Sequence, residues 1–211
     1  MISHGTVYLL DCDSKMTSSV QCLLDSSGLQ IYVYKAVRDF LNQLCADAHG
    51  CLITDIRMPM VSGLQVLNEL KRRKSDLSVI FLTSCVDISV AIEALKNGAI
   101  EYITKPFSEQ KLIDSVYSAI EISQNKYKKT SRLKQIKDCI QLLSKREYEV
   151  LECLASGMIN KLISTRLHIS KKTVEMHRAN VMRKMQVQNI AELVSLYTFY
   201  QLSLAEITTH C

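Results

Sequence analysis

Short apolar runs alternate with amphipathic stretches through the first 122 residues of the chain. An apolar run bounded by turn residues is typical of a strand buried on both faces, and apolar positions three or four residues apart indicate a helix. The alternation predicts an α/β fold, a doubly wound sheet of five parallel strands. The strands are predicted near residues 6–10, 29–34, 51–54, 79–83 and 101–104, and the helices near 14–27, 37–47, 63–73, 88–97 and 108–124.

The rear of the chain carries helical periodicity only. Ser144 and Glu147 have the spacing of a capping box, at the start of a helix that stops at Gly157. We therefore expect an all-α domain of four helices. The remaining helices are predicted over 160–167, from an N-cap at Ser170 to about Met185, and over about 190–200.

The sign of the net charge changes close to residue 122, where the alternation of strands and helices ends. Residues 1–122 contain 11 Lys and Arg against 14 Asp and Glu, a net charge of −3, whereas residues 123–211 contain 15 against 7, a net charge of +8. The crossover is a polar, basic stretch over 123–131 without apolar periodicity. We predict one domain over 1–122, a linker over 123–140 and a second domain over 141–211. The basic second domain suggests a polyanionic partner.

Composition bears on the cellular compartment of the protein and not on a particular reaction. All apolar runs are shorter than the roughly 20 residues that a membrane-spanning helix needs. The eight cysteines form no Cys-x-x-Cys pair. We therefore expect neither a zinc site nor a disulfide framework, and we expect most thiols to be buried. The protein is predicted to be soluble and cytoplasmic.

Polar residues from four strands are predicted to meet at the carboxyl-terminal edge of the sheet, where open α/β sheets hold their chemistry. Asp55 follows the third predicted strand, and Asp11 and Asp13 follow the first. Thr83 is the last residue of the fourth strand, and Lys105 follows the fifth. Such a group could bind a divalent cation, accept a phosphoryl group on Asp55 and balance its charge with Lys105. The alternative is that the acidic residues only cap the helices that follow them.

The first domain resembles the receiver domains of two-component response regulators over residues 5–124. The resemblance implies that Asp55 accepts a phosphoryl group from a histidine kinase and that Mg²⁺ is the cofactor. It also implies that Thr83 binds a phosphoryl oxygen, that Tyr102 changes rotamer with Thr83, and that Lys105 pairs with the phosphoryl charge. The matching positions are the acidic cluster at 11–13, Asp55, Met58-Pro59, Gly63, Thr83, Tyr102 and Lys105-Pro106-Phe107.

Cys12 departs from this family, which usually has two adjacent acids after the first strand. The second acid is the usual magnesium ligand, and a neutral thiol supplies neither the charge nor the hard oxygen that Mg²⁺ prefers. The predicted metal ligands are therefore Asp11 and Asp55, with Asp13 added if its side chain turns inward, which the sequence leaves open. We expect weakened Mg²⁺ binding and slower phosphorylation.

The third helix of the rear domain combines an apolar stripe with a cationic surface. The stripe is formed at helical spacing by Val174, Val181, Met182 and Met185. The cations on its other faces are Lys171, Lys172, Arg178, Arg183 and Lys184. A helix of this kind suits the major groove of DNA, although several cations on a helix often form no more than a solvated face. The short helix before it, the tight connection and the positive domain favour DNA binding.

The rear domain resembles the helix-turn-helix of the LuxR, NarL and FixJ families over residues 141–200. The matching positions are Asn160-Lys161, Ile169-Ser170, Thr173-Val174-Glu175, His177-Arg178 and Met185. By this resemblance, the residues that face base edges are Glu175, Met176 and Ala179. Those that hold the DNA backbone are Lys161, Lys172, Thr173 and Arg178, and the predicted DNA-contacting set is completed by Lys171 and Arg183.

The two domains together resemble a FixJ-like response regulator, which is not an enzyme. The resemblance implies a sensor histidine kinase, double-stranded DNA, RNA polymerase and, on activation, a second copy of the chain as partners, and no membrane. Two other interpretations stay open. The Asp11-Cys12-Asp13 segment also has the Asp-x-Asp shape of haloacid-dehalogenase-like phosphatases, with Asp11 as nucleophile. Alternatively, because of Cys12, the receiver controls DNA binding without phosphorylation.

Overall fold

The first part of the computed structural model is an open parallel sheet. The model describes residues 5–209, with side chains through residue 205. The strands are β1 (Thr6–Leu10), β2 (Gln30–Tyr34), β3 (Cys51–Thr54), β4 (Ser78–Thr83) and β5 (Glu101–Thr104). They pair in the order β2-β1-β3-β4-β5, and every neighbouring pair is parallel. The predicted strands and the doubly wound α/β fold are confirmed.

Helices cover both faces of this sheet. They are α1 (Ser14–Ser26), α2 (Val37–Gln43), α3 (Gly63–Arg72), α4 (Ile88–Lys96) and the first part of α5 (Glu109–Gln141). Ile53 and Leu82 belong to the core that contains Leu24 of α1 and Val116 of α5. Successive residues of a strand point to opposite faces, so Leu52 and Phe81 join Val66 and Ala94 in a second core. Every residue of β3 and β4 is buried, which explains their continuous apolar runs.

Two helices of the first part end elsewhere than predicted. The chain leaves α2 after Gln43, because Leu44 has an extended backbone and packs against the core, so the prediction that this helix reaches residue 47 is wrong. The fifth helix does not end near residue 124 but continues to Gln141. Residues 123–140 contain many Lys, Arg and Gln and neither Pro nor Gly, so they favour helix even without an apolar stripe.

The second part of the structure is a small helical domain. Its helices after α5 are α6 (Lys145–Ala155), α7 (Asn160–Leu167), α8 (Lys171–Lys184) and α9 (Ile190–Thr209). The capping box of Ser144 and Glu147 is formed, and Ser170 caps α8, as predicted. Gly157 has a φ of +77° just after α6, a conformation that glycine adopts without strain. The predicted end of the last helix near residue 200 is too early.

The described chain divides into two compact units, one ending at Lys128 and the other beginning at Lys129. The domain ranges 1–122, 123–140 and 141–211 stay predictions. Among the described helices, none combines the length and apolarity needed to cross a bilayer.

The cysteines are less buried than the sequence suggested. Cys51, Cys85 and Cys153 are buried and Cys139 is half-buried, whereas Cys12, Cys22 and Cys45 are exposed, and all seven are free thiols. The prediction that most thiols are buried is therefore wrong for the described cysteines, and Cys211 lies outside the described residues. Of the exposed thiols, Cys22 lies on α1, Cys12 precedes α1 and Cys45 follows α2.

Candidate functional site

The carboxylate of Asp55 lies at the centre of the carboxyl-terminal edge of the sheet. The Thr83 hydroxyl at the end of β4 donates a hydrogen bond to Asp55 Oδ1 at 2.6 Å. The Lys105 Nζ, just after β5, lies 3.1 Å from Asp55 Oδ2 and 3.2 Å from Asp11 Oδ2. The structure thus brings Asp11, Asp55, Thr83 and Lys105 together as predicted from the parallel strand order.

Lys105 is a largely buried cation between two carboxylates. Its side chain is 12% exposed, and those of Asp11 and Asp55 are 10% and 15% exposed. Burial lowers the pKa of Lys105, but the charges and hydrogen bonds of Asp11 and Asp55 outweigh burial and raise the pKa above its ordinary value. Lys105 is therefore a fixed positive charge at neutral pH, able to stabilise further negative charge on Asp55.

Gly63 is required where α3 begins behind Asp55. A Cβ atom at this position would lie 2.4 Å from the Asp55 carbonyl oxygen and 2.7 Å from the Phe81 ring. No side chain fits at these distances without a shift of backbone. The glycine therefore allows the loop after β3 to fold back closely against the backbone of Asp55. The Gly63 amide donates a hydrogen bond to the Ile56 carbonyl oxygen at 2.9 Å.

Tyr102 is linked to this site through the backbone of Cys85. The Tyr102 hydroxyl donates to the Cys85 carbonyl oxygen at 2.6 Å, and the Cys85 amide donates to the Thr83 hydroxyl oxygen at 3.3 Å. Burial, followed by the contact with Cys85, raises the pKa of Tyr102 to about 12, so the phenol remains a donor. A movement of the Thr83 side chain would therefore affect the hydrogen bond of Tyr102 through the backbone of Cys85.

Arg57 and Cys85 also lie at this site and were not among the site residues predicted from the sequence. The Arg57 amide donates to Asp55 Oδ1 at 3.0 Å, and its guanidinium lies 3.4 Å from the Cys85 sulfur. Arg57 comes two residues after Asp55, and Cys85 comes two residues after Thr83. Because β3 and β4 are parallel neighbours, residues just beyond the two strand ends must be close, and this spacing was the signal that could have identified the contact.

Asp13 does not join Asp11 and Asp55. Its Oδ1 accepts hydrogen bonds from the amides of Lys15 and Met16 at 3.0 and 3.2 Å, so Asp13 is the N-cap of α1. The unpaired amides of a helix N-terminus need such an acceptor. Across the part of the chain that the structure describes, no three acidic, His or Cys side chains form a group that could hold a metal ion. The side chain of Asp13, whose direction the sequence left open, is thus bound to α1, and Asp11 and Asp55 stay the predicted metal ligands.

The two remaining carboxylates still suit a hydrated magnesium ion. Mg²⁺ commonly binds one or two protein carboxylates and keeps several of its waters. Cys12, at the position of the missing acid, is exposed, and its sulfur lies 3.8 Å from the Lys35 carbonyl oxygen. The thiol therefore adds no oxygen ligand, so the donor set fits Mg²⁺ but is a reduced one.

The predicted DNA-contacting residues lie on the outer surface of α7 and α8. Val174, Val181 and Met185 are buried and dock α8 on the domain core, as predicted. Arg178 and Thr173 are partly buried, and the Arg178 guanidinium lies 3.4 Å from Asn160 Oδ1. The exposed members of the set are Lys161, Lys171, Lys172, Glu175, Met176, Ala179 and Arg183.

Lys184 is an exception to the predicted cationic surface of α8. Its Nζ lies 2.6 Å from Glu147 Oε2, and Glu147 is only 5% exposed. Lys184 faces α6, because its long side chain reaches the buried carboxylate at the start of that helix. The prediction that Lys184 belongs to the outer face is therefore wrong.

The Glu147 carboxylate should make folding sensitive to acid. The hydrogen bond from Lys184, followed by that from the Ser144 amide, lowers the pKa of Glu147 to about 2. Because this pKa is below that of the unfolded chain, the stabilisation is present above the unfolded pKa of about 4.3 and is lost as pH falls toward 2. We expect Glu147→Gln to flatten the fall in unfolding free energy between pH 5 and about 2, measured by urea titration. An unchanged slope in Glu147→Gln would contradict this assignment.

Comparison with known proteins agrees with both halves of this description. The model of the response regulator receiver domain matches residues 7–117, and that of the LuxR family of bacterial regulatory proteins matches residues 141–197. The chain belongs to the two-component response regulators. Receiver domains generally bind Mg²⁺ at the phosphorylation site, and this architecture implies a histidine kinase partner, DNA binding and regulation of transcription. The receiver match also favours this function over the phosphatase interpretation of Asp11.

Known response regulators are similar to this chain over most of its length. Response regulator protein TodT of Pseudomonas putida is 37% identical over 190 residues, which cover 90% of this chain and 84% of TodT. Transcriptional regulatory protein FixJ of Bradyrhizobium diazoefficiens is 36% identical over 196 residues, 93% of this chain and 96% of FixJ. The solved structure of response regulator StyR matches with a TM-score of 0.83 and 32% identity, over 92% of this chain and 98% of StyR.

Proposed function

We propose that Asp55 is the phosphoacceptor of this response regulator and that a sensor histidine kinase is the donor. The observation that carries the proposal is the pair of contacts at 2.6 Å from Thr83 and 3.1 Å from Lys105 to the two Asp55 oxygens. In the transfer, an Asp55 oxygen forms a bond to phosphorus while the bond between phosphorus and the kinase histidine nitrogen breaks. Lys105 balances the charge that arrives on Asp55, and Thr83 binds a phosphoryl oxygen.

Asp11 and Asp55 are the residues that would hold Mg²⁺ in this site. When bound, the ion would supply positive charge that favours transfer of the phosphoryl group to a carboxylate. Lys105 already occupies the space between the two carboxylates, and Cys12 adds no charge, so the metal affinity is proposed to be lower than with two adjacent acids.

We propose that phosphorylation pairs two copies of the chain through the α4 side of the receiver. Movement of Thr83 toward the phosphoryl group changes the Cys85 backbone contacts and thereby the position of Tyr102. An apolar surface lies beside these residues, with Val86, Ile88, Ile92 and Leu95 between 47% and 76% exposed. Burial of this surface in a dimer would bring two DNA-binding domains to half-sites one helical turn apart.

The proposed contacts with DNA follow from the exposed surface of α8. Glu175 can accept from a cytosine amino group, and Met176 and Ala179 can touch thymine methyl groups. The cations of this surface and Thr173 are proposed to contact phosphates of the DNA backbone. RNA polymerase is the proposed protein partner at the promoter. The phosphate-contacting residues are Lys161, Lys171, Lys172, Thr173, Arg178 and Arg183.

A selection of duplexes from a random pool, run with and without acetyl phosphate, tests this function. We expect one sequence motif to be enriched, and more strongly with the phosphoryl donor. Failure to retain any duplex at low ionic strength would overturn the DNA-binding function. Enrichment that does not respond to the donor would overturn the switch.

Lys172→Ala should weaken binding to all duplexes alike. The exposed ammonium is assigned to a phosphate, so its loss removes affinity that carries little base information. The slope of log affinity against log salt should become shallower by about 0.9, measured by fluorescence anisotropy. Lys145→Ala, which removes an exposed lysine from α6, is the matched control and should leave the slope unchanged. A specificity change in Lys172→Ala would point to a base contact instead.

A regulator that does not depend on phosphorylation is the second candidate, favoured by Cys12 and by the use of Asp13 as a helix cap. Such a protein would show the same DNA affinity with and without donor. Incubation with acetyl phosphate and Mg²⁺, followed by intact-mass measurement, decides between the two, because only a working phosphoacceptor gains a phosphoryl group.

A further inference from the structure

The last turn of α8 is fastened to the start of α6 by one ion pair. Lys184 Nζ lies 2.6 Å from Glu147 Oε2 and 3.0 Å from the Leu142 carbonyl oxygen. The side chain of Glu147 is 6% exposed and that of Lys184 is 25% exposed. The pair is therefore largely shielded from solvent and from the screening that weakens surface ion pairs.

The same carboxylate also organises the beginning of α6. Glu147 Oε2 accepts the Ser144 amide at 2.8 Å, and the Glu147 amide donates to the Ser144 hydroxyl at 3.3 Å. Glu147 Oε2 thus accepts hydrogen bonds both from the Ser144 amide, at the N-cap of α6, and from the Lys184 ammonium of α8. This geometry fixes where Lys184 can lie relative to the first turn of α6.

The other contacts between these helices are mainly apolar. Val150 and Leu151 of α6 share a core with Val174 and Val181 of α8. Apolar burial is not directional, so a small rotation or slide of α8 would cost little of it. A charged hydrogen bond is directional, and it lies at the opposite end of α8 from the Ser170 cap.

We infer that Glu147 and Lys184 are positioning residues that hold α8 in the rotation and axial position at which Glu175, Met176 and Ala179 reach base edges. The inference rests on the proposed role of α8 in DNA recognition. Lys184 itself contributes no phosphate contact, because its charge is directed to Glu147. Its effect on DNA binding is therefore on sequence discrimination and not on salt dependence.

The double variant Glu147→Gln with Lys184→Met separates positioning from stability. Lys184→Met alone leaves a buried carboxylate without its cation, which destabilises the domain. The double variant removes both charges, and Gln can still form the capping box, so its thermal midpoint should be close to that of the wild-type chain. The affinity ratio between the selected duplex and a scrambled duplex should nevertheless fall about tenfold in both variants, the size of one mismatched base pair.

Anisotropy titrations of the full chain against both duplexes, at several salt concentrations, test the inference. Each variant is measured at a temperature where its helical circular dichroism equals that of the wild type. Arg183→Met, an exposed cation one residue earlier, is the matched control and should reduce the salt slope while keeping the ratio. The inference is overturned if the double variant keeps the wild-type ratio, or if its salt slope falls as in Arg183→Met. If the wild-type chain itself shows no preference for either duplex, the proposed recognition function fails first.

Discussion

Asp55→Asn is expected to abolish phosphoryl transfer to the chain and, with it, the donor-dependent rise in DNA affinity. An amide lacks the nucleophilic oxygen that forms the acyl phosphate. The fold should persist, because the substituted amide keeps an oxygen for the Thr83 hydroxyl and Asp11 keeps its contact with Lys105 at 3.2 Å. Intact-mass measurement after exposure to acetyl phosphate should show no phosphoryl addition, and the gain in DNA affinity, about tenfold or more in the wild type, should disappear.

Asp13→Asn is the matched control for this experiment. Asp13 also lies just beyond a strand of the sheet, but its carboxylate caps α1, and Asn is an equally good cap. This variant should accept the phosphoryl group as the wild type does. Label that persists in Asp55→Asn and is lost in Asp11→Asn would instead assign the nucleophile to Asp11, as in the phosphatase interpretation.

The part of the site that depends on strand order could be predicted from the sequence. Each buried strand is a short apolar run, and parallel strands present their carboxyl ends at one edge. The positions of Asp11, Asp55, Thr83 and Lys105 relative to one another then follow from the order of the strands, without knowledge of any side-chain contact. The capping box of Ser144 and Glu147 was predictable for a similar reason, because both residues belong to one local pattern.

Side-chain choices between two competing partners could not be predicted. Asp13 could cap α1 or turn toward Asp55, and local amides compete with a distant site for the same oxygen. Lys184 lies within a run of exposed cations, and only the packing of α8 on α6 shows that it is directed inward. The length of α5 was missed because helix propensity, rather than an apolar stripe, sustains residues 123–140.

Cys12 is the residue with the largest expected effect on the cofactor, and Cys12→Asp is expected to raise the affinity for Mg²⁺ by about tenfold or more. The substitution adds a hard, charged oxygen beside Asp11, at an exposed position where a carboxylate costs little to accommodate. With two carboxylates already present, a third one increases the negative potential that attracts the ion. Isothermal titration calorimetry of the full chain with MgCl₂ measures the change directly, without relying on phosphorylation.

Cys12→Ser separates the removal of the thiol from the gain of a charge. Serine supplies a neutral oxygen only, so its Mg²⁺ affinity should stay near that of the wild type, whereas Cys12→Asp should also accept phosphoryl groups faster at limiting Mg²⁺. Asp13→Asn should leave the wild-type affinity unchanged, because the Asp13 carboxylate is bound to the amides of Lys15 and Met16. Two results would contradict this prediction: equal Mg²⁺ affinities in the wild type and Cys12→Asp, and a lower Mg²⁺ affinity in Asp13→Asn. They would show that Asp13 leaves its position as the cap of α1 to bind the metal and that the thiol of Cys12 does not weaken Mg²⁺ binding.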